Sequence, residues 1–191
     1  MHNLKALFIF IIFSVFMFSC SEDNSDGDNG TGPNNQELGE AENGEGVFIL
    51  TGDVQLNGSG TATHRYHSAM TMNNKTWAIH KVRIEGEENV YISIEFHIHD
   101  PEANMFSGKA PETGTYRVYE PGMSTPQDNY AKVTVYGDSF ESYFTTDGDN
   151  QMDLTVHENG IWEAELTNVL DDYETDEVVT LHCAFKSEPQ D

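Results

Sequence analysis

Cysteine is almost absent from this chain, which has only Cys20 and Cys183 among 191 residues. A framework of disulfide bonds is therefore excluded, and the fold must depend on the burial of apolar side chains. Cys183 belongs to an alternating apolar series at positions 179 to 185. This spacing predicts a small core side chain rather than a reactive thiol.

Basic residues are also scarce, since 9 Lys and Arg stand against 33 Asp and Glu, for a formal net charge of −24. Nucleic-acid binding is excluded on this ground, because contacts to phosphates require clustered Lys and Arg. The domain would also be repelled by anionic lipid headgroups. Divalent cations are the natural counter-charge for such a surface.

No stretch after residue 46 has a convincing helical period, whereas a period of two is clear. Apolar side chains occupy every second position from Val90 to Ile98. The opposite face carries Tyr91, Ser93, Glu95, His97 and His99. Strict alternation over this length predicts a β-strand with one buried face and one solvated polar face.

Nine other segments have strand character, and Gly, Pro, Asn and Asp clusters separate most of them. They are Val47–Leu50, Ala62–Met72, Trp77–Ile84, Thr115–Tyr119, Tyr130–Tyr136, Phe140–Thr145, Met152–Val156, Trp162–Leu166 and Val178–Phe185. The pair Asn159-Gly160 predicts a tight hairpin turn. About ten short strands predict one all-β domain over residues 47–191, an antiparallel β-sandwich or alternatively an open β-barrel.

The N-terminus has the features of an export signal. Met1–Lys5 is a short basic start, Ala6–Phe18 is almost entirely apolar, and Ser19 precedes Cys20. This arrangement predicts a signal peptide over residues 1–19. The apolar run is too short to span a bilayer comfortably, since a transmembrane helix needs about 20 residues.

Met17-Phe18-Ser19-Cys20 resembles the bacterial lipobox, in the relaxed form found in Bacteroidetes lipoproteins. The resemblance implies that Cys20 is lipidated and becomes the mature N-terminus. The acidic residues that follow resemble the signal that sends such lipoproteins to the outer face of the outer membrane. We therefore expect a lipid-anchored protein exposed at the cell surface. The alternative is an ordinary secreted protein in which Cys20 is incidental.

Residues 20–46 are expected to form a tether between the lipid and the domain. Positions 21–46 contain eight acidic residues, no Lys or Arg, and Leu38 as the one sizeable apolar side chain. Such a segment cannot bury enough apolar surface to offset the entropy of ordering, so the sequence predicts disorder.

The order of features from Gly114 onward resembles the small β-sandwich lipoproteins of Bacteroidetes that are grouped as families of unknown function. The matching pieces are Gly114-Thr115-Tyr116, Leu154-Thr155-Val156, Ile161-Trp162-Glu163-Ala164 and Val178–Phe185. The resemblance implies a fold and a location but no activity.

His97 and His99 are the sharpest candidates for chemistry. Residues two apart on a strand point to the same side, about 7 Å apart at their bases, so both imidazoles could share a divalent metal ion. A catalytic zinc site needs three protein ligands. Asp100, His64 and His67 are candidates for the third ligand, with His80 and His182 also available. The alternative is a pair of solvated histidines.

Tyr91 lies on the same predicted polar face, where an exposed ring could stack against a glycan or a protein partner. A tyrosine packing over the edge of the core is the alternative. The sequence thus favours a surface binding or envelope-associated module. A metal-dependent enzyme built on His97 and His99, and a purely structural envelope protein, remain the alternatives.

Overall fold

The computed structural model describes residues 37–119, 129–138, 140–145, 150–172 and 174–190. The predicted signal peptide, Cys20 and positions 21–36 of the predicted tether lie outside these ranges. Within them, no helix is long and apolar enough to span a membrane.

Ten strands make up most of the regular structure. They are β1 (Glu45–Gly52), β2 (Leu56–Met72), β3 (Lys75–Gly86), β4 (Tyr91–His99), β5 (Gly114–Val118), β6 (Tyr130–Gly137), β7 (Phe140–Thr145), β8 (Gln151–Val156), β9 (Trp162–Asp171) and β10 (Val178–Pro189). A 3-10 turn, Glu87–Asn89, joins β3 to β4. The all-β prediction is confirmed, and each predicted strand has a counterpart among the ten.

The ten strands form one hydrogen-bonded sheet. The pairings run from β1 through β2, β3, β4, β6, β7, β9 and β10, and β10 pairs again with β1. Strands β5 and β8 lie between β6 and β9. All pairs are antiparallel except β5–β6 and β10–β2. A division into two sheets, as in a sandwich, is not confirmed.

The core consists of the inward-facing apolar side chains of these strands. Fully buried members include Val82, Ile84, Ile92, Ile94, Phe96, Val133, Val135, Leu181 and Phe185. Cys183 is also fully buried within this cluster, as its alternating context predicts. The predicted turn between β8 and β9 is present, and Gly160 adopts a φ of +86° there, which a glycine tolerates without strain.

The folded part begins earlier than residue 47. Strand β1 starts at Glu45, and Ala41 is already buried. The Gly44 N–H donates to the carbonyl oxygen of Lys186 (2.7 Å), and the Ala62 N–H donates to that of Gly44 (2.8 Å). Positions 41–46, which the sequence assigned to the tether, are therefore held against β2 and β10.

A bulge in β2 decides which of its side chains face the core. The register against β3 shifts between Tyr66 and Ser68. Before the shift, His64 lies opposite Val82 and is buried with it. The bulge places an extra residue, His67, on the exposed side of the strand.

Candidate functional site

His97 is not solvated, contrary to the prediction for the polar face of β4. Its side chain is only 3% exposed. The ring stacks on Tyr130 of the neighbouring strand β6, with centroids 4.4 Å apart and an interplanar angle of 12°. Trp77, on the same side of β3, is also buried. The polar face is therefore covered at this end of the sheet, where Tyr130 of β6 packs directly on His97 and Trp77 of β3 meets His99.

Both ring nitrogens of His97 lack a hydrogen-bond partner within the described part of the chain. The nearest charge is the carboxylate of Glu95, whose Oε2 lies 3.7 Å from Nε2. Glu95 also forms an ion pair with Lys81 at 3.0 Å. The His97 ring, followed by Lys81, lowers the pKa of Glu95 to about 2, although burial opposes the shift. The carboxylate of Glu95 is thus ionised, and it lies close to both Lys81 and His97.

His99 and Asp100 do not join His97 in a common site. His99 is exposed, and its ring meets the edge of Trp77 at a centroid distance of 5.8 Å. Asp100 begins the following loop, where its carboxylate accepts hydrogen bonds from the backbone N–H groups of Glu102 (2.9 Å) and Lys109 (2.7 Å). These bonds, the one from Lys109 first, lower the pKa of Asp100. This carboxylate closes a loop instead of facing the histidines.

His64 lies on the opposite, inner side of the sheet. Its ring stacks flat against Trp162 of β9, and its Nδ1 donates to the carbonyl oxygen of Ser187 at 3.1 Å. Burial lowers the pKa of His64 to about 4. His64 therefore belongs to a neutral aromatic cluster in the core, which also contains His80 and Tyr66.

The predicted metal ligands are thus distributed over separate places. His97 and His99 lie on the outer side of β4, His64 lies inside, and His67 occupies the bulge. Among the residues that the structure describes, no three His, Cys, Asp or Glu side chains lie close enough to hold a metal ion. This geometry therefore does not bring the predicted ligands together around a divalent metal ion.

Tyr91 packs against its own sheet. Its ring stacks on Tyr136 of β6, with centroids 5.3 Å apart and an interplanar angle of 20°. The guanidinium carbon of Arg83 lies 4.7 Å from the centre of the Tyr91 ring, and Arg83 Nε is 2.9 Å from Glu85. The half-buried Tyr91 and Tyr136 with Arg83 form a small aromatic platform at one end of the outer face.

A loop that the sequence did not single out carries two exposed apolar side chains. Met105 is 78% exposed and Phe106 is 88% exposed. They lie between Asn104 and Ser107, whose backbone groups bond across the turn (Asn104 N–H to Ser107 O, 2.9 Å). The Asn104 side chain also accepts a bond from the Phe106 N–H at 3.0 Å. The sequence feature that could have identified this loop is an apolar pair flanked by turn-forming residues.

This loop is fixed to the domain at several points. The Tyr66 hydroxyl donates to the carbonyl oxygen of Asn104, and His80 Nε2 donates to that of Lys109 (3.1 Å). Gly108 packs so closely that a Cβ added there would lie 2.4 Å from the Cβ of Ala78. The Met105–Phe106 tip is therefore presented by an anchored loop.

An open groove elsewhere on the domain has about 670 Å³ of accessible space. Its lining includes Glu40, Glu42, Glu45, Glu85 and Glu87. A groove of this charge does not suit an anionic ligand.

No family model matches, and no curated protein or solved structure is significantly similar to the chain.

Proposed function

We propose that this chain is a lipoprotein of the outer cell surface whose acidic β-domain is a binding module, with the Met105–Phe106 tip as its principal contact. The export signal, the cysteine that follows it and the acidic residues after that cysteine support the location. The anchored, exposed tip supports the binding role.

The tip carries the proposal because two large apolar side chains are held in water at the end of an ordered loop. Exposed single apolar residues are common, but adjacent exposed anchors on a fixed loop resemble the residues that dominate protein interfaces. Positions 103–108 also contain no charged residue, although the whole chain has a net charge of −24. We therefore expect the partner to be a protein with an apolar pocket that accepts the Met105–Phe106 tip.

The cyclic order of pairings supports a sheet that curves around its core, nearer to the open-barrel alternative than to a two-sheet sandwich. In such an arrangement the loops at the two ends are the natural contact regions. The Met105–Phe106 loop follows the C-terminal end of β4 at one of these ends.

Two experiments test the location and the binding role separately. For the location, wild-type protein is expected in the detergent phase after cloud-point extraction, and Cys20→Ala in the aqueous phase. For the tip, a photo-crosslinking amino acid at Phe106 on intact cells is expected to give a discrete protein adduct. The same amino acid at Val169, which is 42% exposed on β9, serves as the control. Equal labelling at both positions contradicts the role of the tip.

The Tyr91–Tyr136–Arg83 platform supports a second candidate function, the binding of glycans by stacking against an aromatic face. Binding to a glycan array that is lost in Tyr91→Ala would favour it. Tyr119 offers a matched control, because Arg117 lies 4.6 Å from its ring centre in the same kind of contact. Equal losses in Tyr91→Ala and Tyr119→Ala would contradict a site at the platform.

A further inference from the structure

Strands β2 and β3 concentrate positive charge in an otherwise acidic chain. Positions 54–84 contain no Asp or Glu, whereas they contain Arg65, Lys75, Lys81 and Arg83. The whole chain has 33 Asp and Glu but only 9 Lys and Arg. Four of the nine basic residues therefore lie within one hairpin.

The strand register aligns basic side chains in a row on the outer face of the sheet. Arg65 lies opposite Lys81, and Lys81 lies opposite Glu95 of β4. Glu95 in turn lies opposite Lys132 of β6. Side chains that face each other on neighbouring strands are about 5 Å apart at their bases. These four residues, the basic row, therefore place three cations beside one carboxylate across four strands.

Charge compensation within the basic row is incomplete. Glu95 pairs with Lys81 at 3.0 Å, but Arg65 has no ion pair in the part of the chain that the structure describes. Like charges directly opposite each other on a sheet are destabilising, and Arg65 and Lys81 are such a pair. Arg65 is exposed, so an anion from solution can reach it.

The basic row adjoins the Tyr91–Tyr136–Arg83 platform. Tyr91 and Glu95 lie on the same face of β4, four residues or about 13 Å apart along the strand. Arg83 lies between them, opposite Ser93, and 42% of its side chain is exposed. The outer face therefore offers aromatic rings and guanidinium groups within the length of a short oligosaccharide.

We propose that this face binds an oligosaccharide whose sugars carry carboxylate groups, such as uronic or sialic acids. The inference rests on glycan binding at the platform, the second candidate function, and names the class of its ligand. A sugar ring would stack on Tyr91, and a carboxylate would pair with Arg83 or Arg65. A guanidinium suits a carboxylate because it can donate two parallel hydrogen bonds.

A densely charged polyanion fits this face less well than a glycan with separate carboxylates. Glu85 and Glu95 lie among the cations, and the domain as a whole is acidic. Charges are screened beyond about 8 Å in physiological salt, so a single carboxylate interacts mainly with the nearby guanidinium groups. A long polyanion would also meet the surrounding acidic surface. Nucleic acids and acidic polypeptides are therefore disfavoured.

The test uses an array of oligosaccharides that contain uronic or sialic acids, each paired with its carboxyl methyl ester. The ester keeps the sugar rings and removes the charge. The mature protein in detergent is compared with Arg65→Gln, Arg83→Gln and Lys109→Gln in about 150 mM salt. Lys109→Gln removes an equal charge from a side chain that is 53% exposed and lies outside the basic row and the platform. Thermal unfolding checks that each variant is folded, and a hexaglutamate peptide serves as an anionic peptide probe.

Wild type and Lys109→Gln are expected to bind at least one acidic sugar more tightly than its ester. Arg65→Gln and Arg83→Gln should each weaken that binding about threefold, the scale of an exposed ion pair. Arg65→Gln should leave binding of the ester unchanged, whereas Tyr91→Ala should weaken binding of acid and ester alike. Equal binding of acids and esters would overturn the proposal but leave the platform as a glycan site. The absence of all glycan binding would overturn both, and tighter binding of hexaglutamate than of any sugar would overturn the ligand class.

Discussion

The imidazole of His64 lies flat against the indole of Trp162, with ring centroids 3.9 Å apart and an interplanar angle of 11°. Trp162 also contacts His80 and Phe96, at centroid distances of 5.7 and 5.9 Å. This cluster connects β2, β3, β4 and β9 across the core.

Stability should fall in mild acid because of His64. An unfolded histidine takes up a proton near pH 6.5, whereas burial lowers the pKa of His64 in the fold to about 4. The full contribution to stability is therefore present above pH 6.5 and is lost as the pH falls from 6.5 to about 4. His64→Phe retains a stacking ring and cannot titrate. Urea unfolding at pH 7.5 and 5.5 should show a smaller decrease for this variant than for wild type, while the exposed His67→Gln matches wild type.

Removing Trp162 should be costly. Trp162→Ala would leave a cavity among three other rings, for which we expect a loss of about 3–5 kcal/mol in the free energy of unfolding. Val169→Ala on the exposed side of the same strand should change it by about 0.5 kcal/mol or less. Denaturant titrations provide both values, and similar losses in the two variants would show that the cluster contributes little.

Gly60 and Gly114 should respond oppositely to alanine. A Cβ at Gly60 would lie 2.1 Å from the carbonyl oxygen of Glu85, so β2 and β3 would have to separate. We expect Gly60→Ala to lower the free energy of unfolding by about 1–3 kcal/mol. A Cβ at Gly114 meets no atom within 4 Å, so Gly114→Ala should be neutral or slightly stabilising. Thermal unfolding of both variants checks this; a neutral Gly60→Ala would contradict the close strand approach.

Cys183 should be unreactive in the native protein. It is fully buried, and burial raises the pKa of its thiol. Only the thiolate reacts readily with disulfide reagents, so labelling of Cys183 should require unfolding of the protein. Titration with such a reagent in urea should then detect one thiol in the mature protein if Cys20 is lipidated, and two if it is not. Rapid native labelling would show that the strand around Cys183 opens.

Zinc or copper should not copurify with the protein in stoichiometric amount. His97 is buried against Tyr130, His64 donates to Ser187, and Asp100 closes its own loop. Elemental analysis after gentle purification checks this expectation. One equivalent of zinc that is lost in His97→Gln would revive the metal-enzyme hypothesis.

Strand positions could be predicted from the sequence because side-chain alternation is a local property. Val90 to Ile98 indicated β4 to within one residue at each end. The strand ends were less predictable: β2 begins at Leu56, six residues before the predicted start, because Asn57 to Thr61 pair with β1 despite their low apolar content. Pairing with β1 therefore makes residues 56–61 part of the strand, and the local sequence pattern does not specify which strands pair.

The candidate sites could be predicted much less well. The side-chain chemistry of His97 and His64 is visible in the sequence, but their surroundings depend on Tyr130 and Trp162, which are distant in sequence. No sequence pattern marks Glu177 as the partner of Tyr143, because Glu177 is one of many acidic residues. Their contact follows from the β7–β9 and β9–β10 pairings.

The chain by itself determined that it forms strands, that Cys183 is a core residue and that its surface is strongly acidic, since periodicity and composition need no knowledge of neighbours. Only the tertiary structure decided that His97 is covered, that His64 faces inward, that Met105 and Phe106 remain in water and that Glu177 accepts a hydrogen bond from Tyr143. Strand order and the bulge at His67 set those contacts, and both result from packing over long sequence separations.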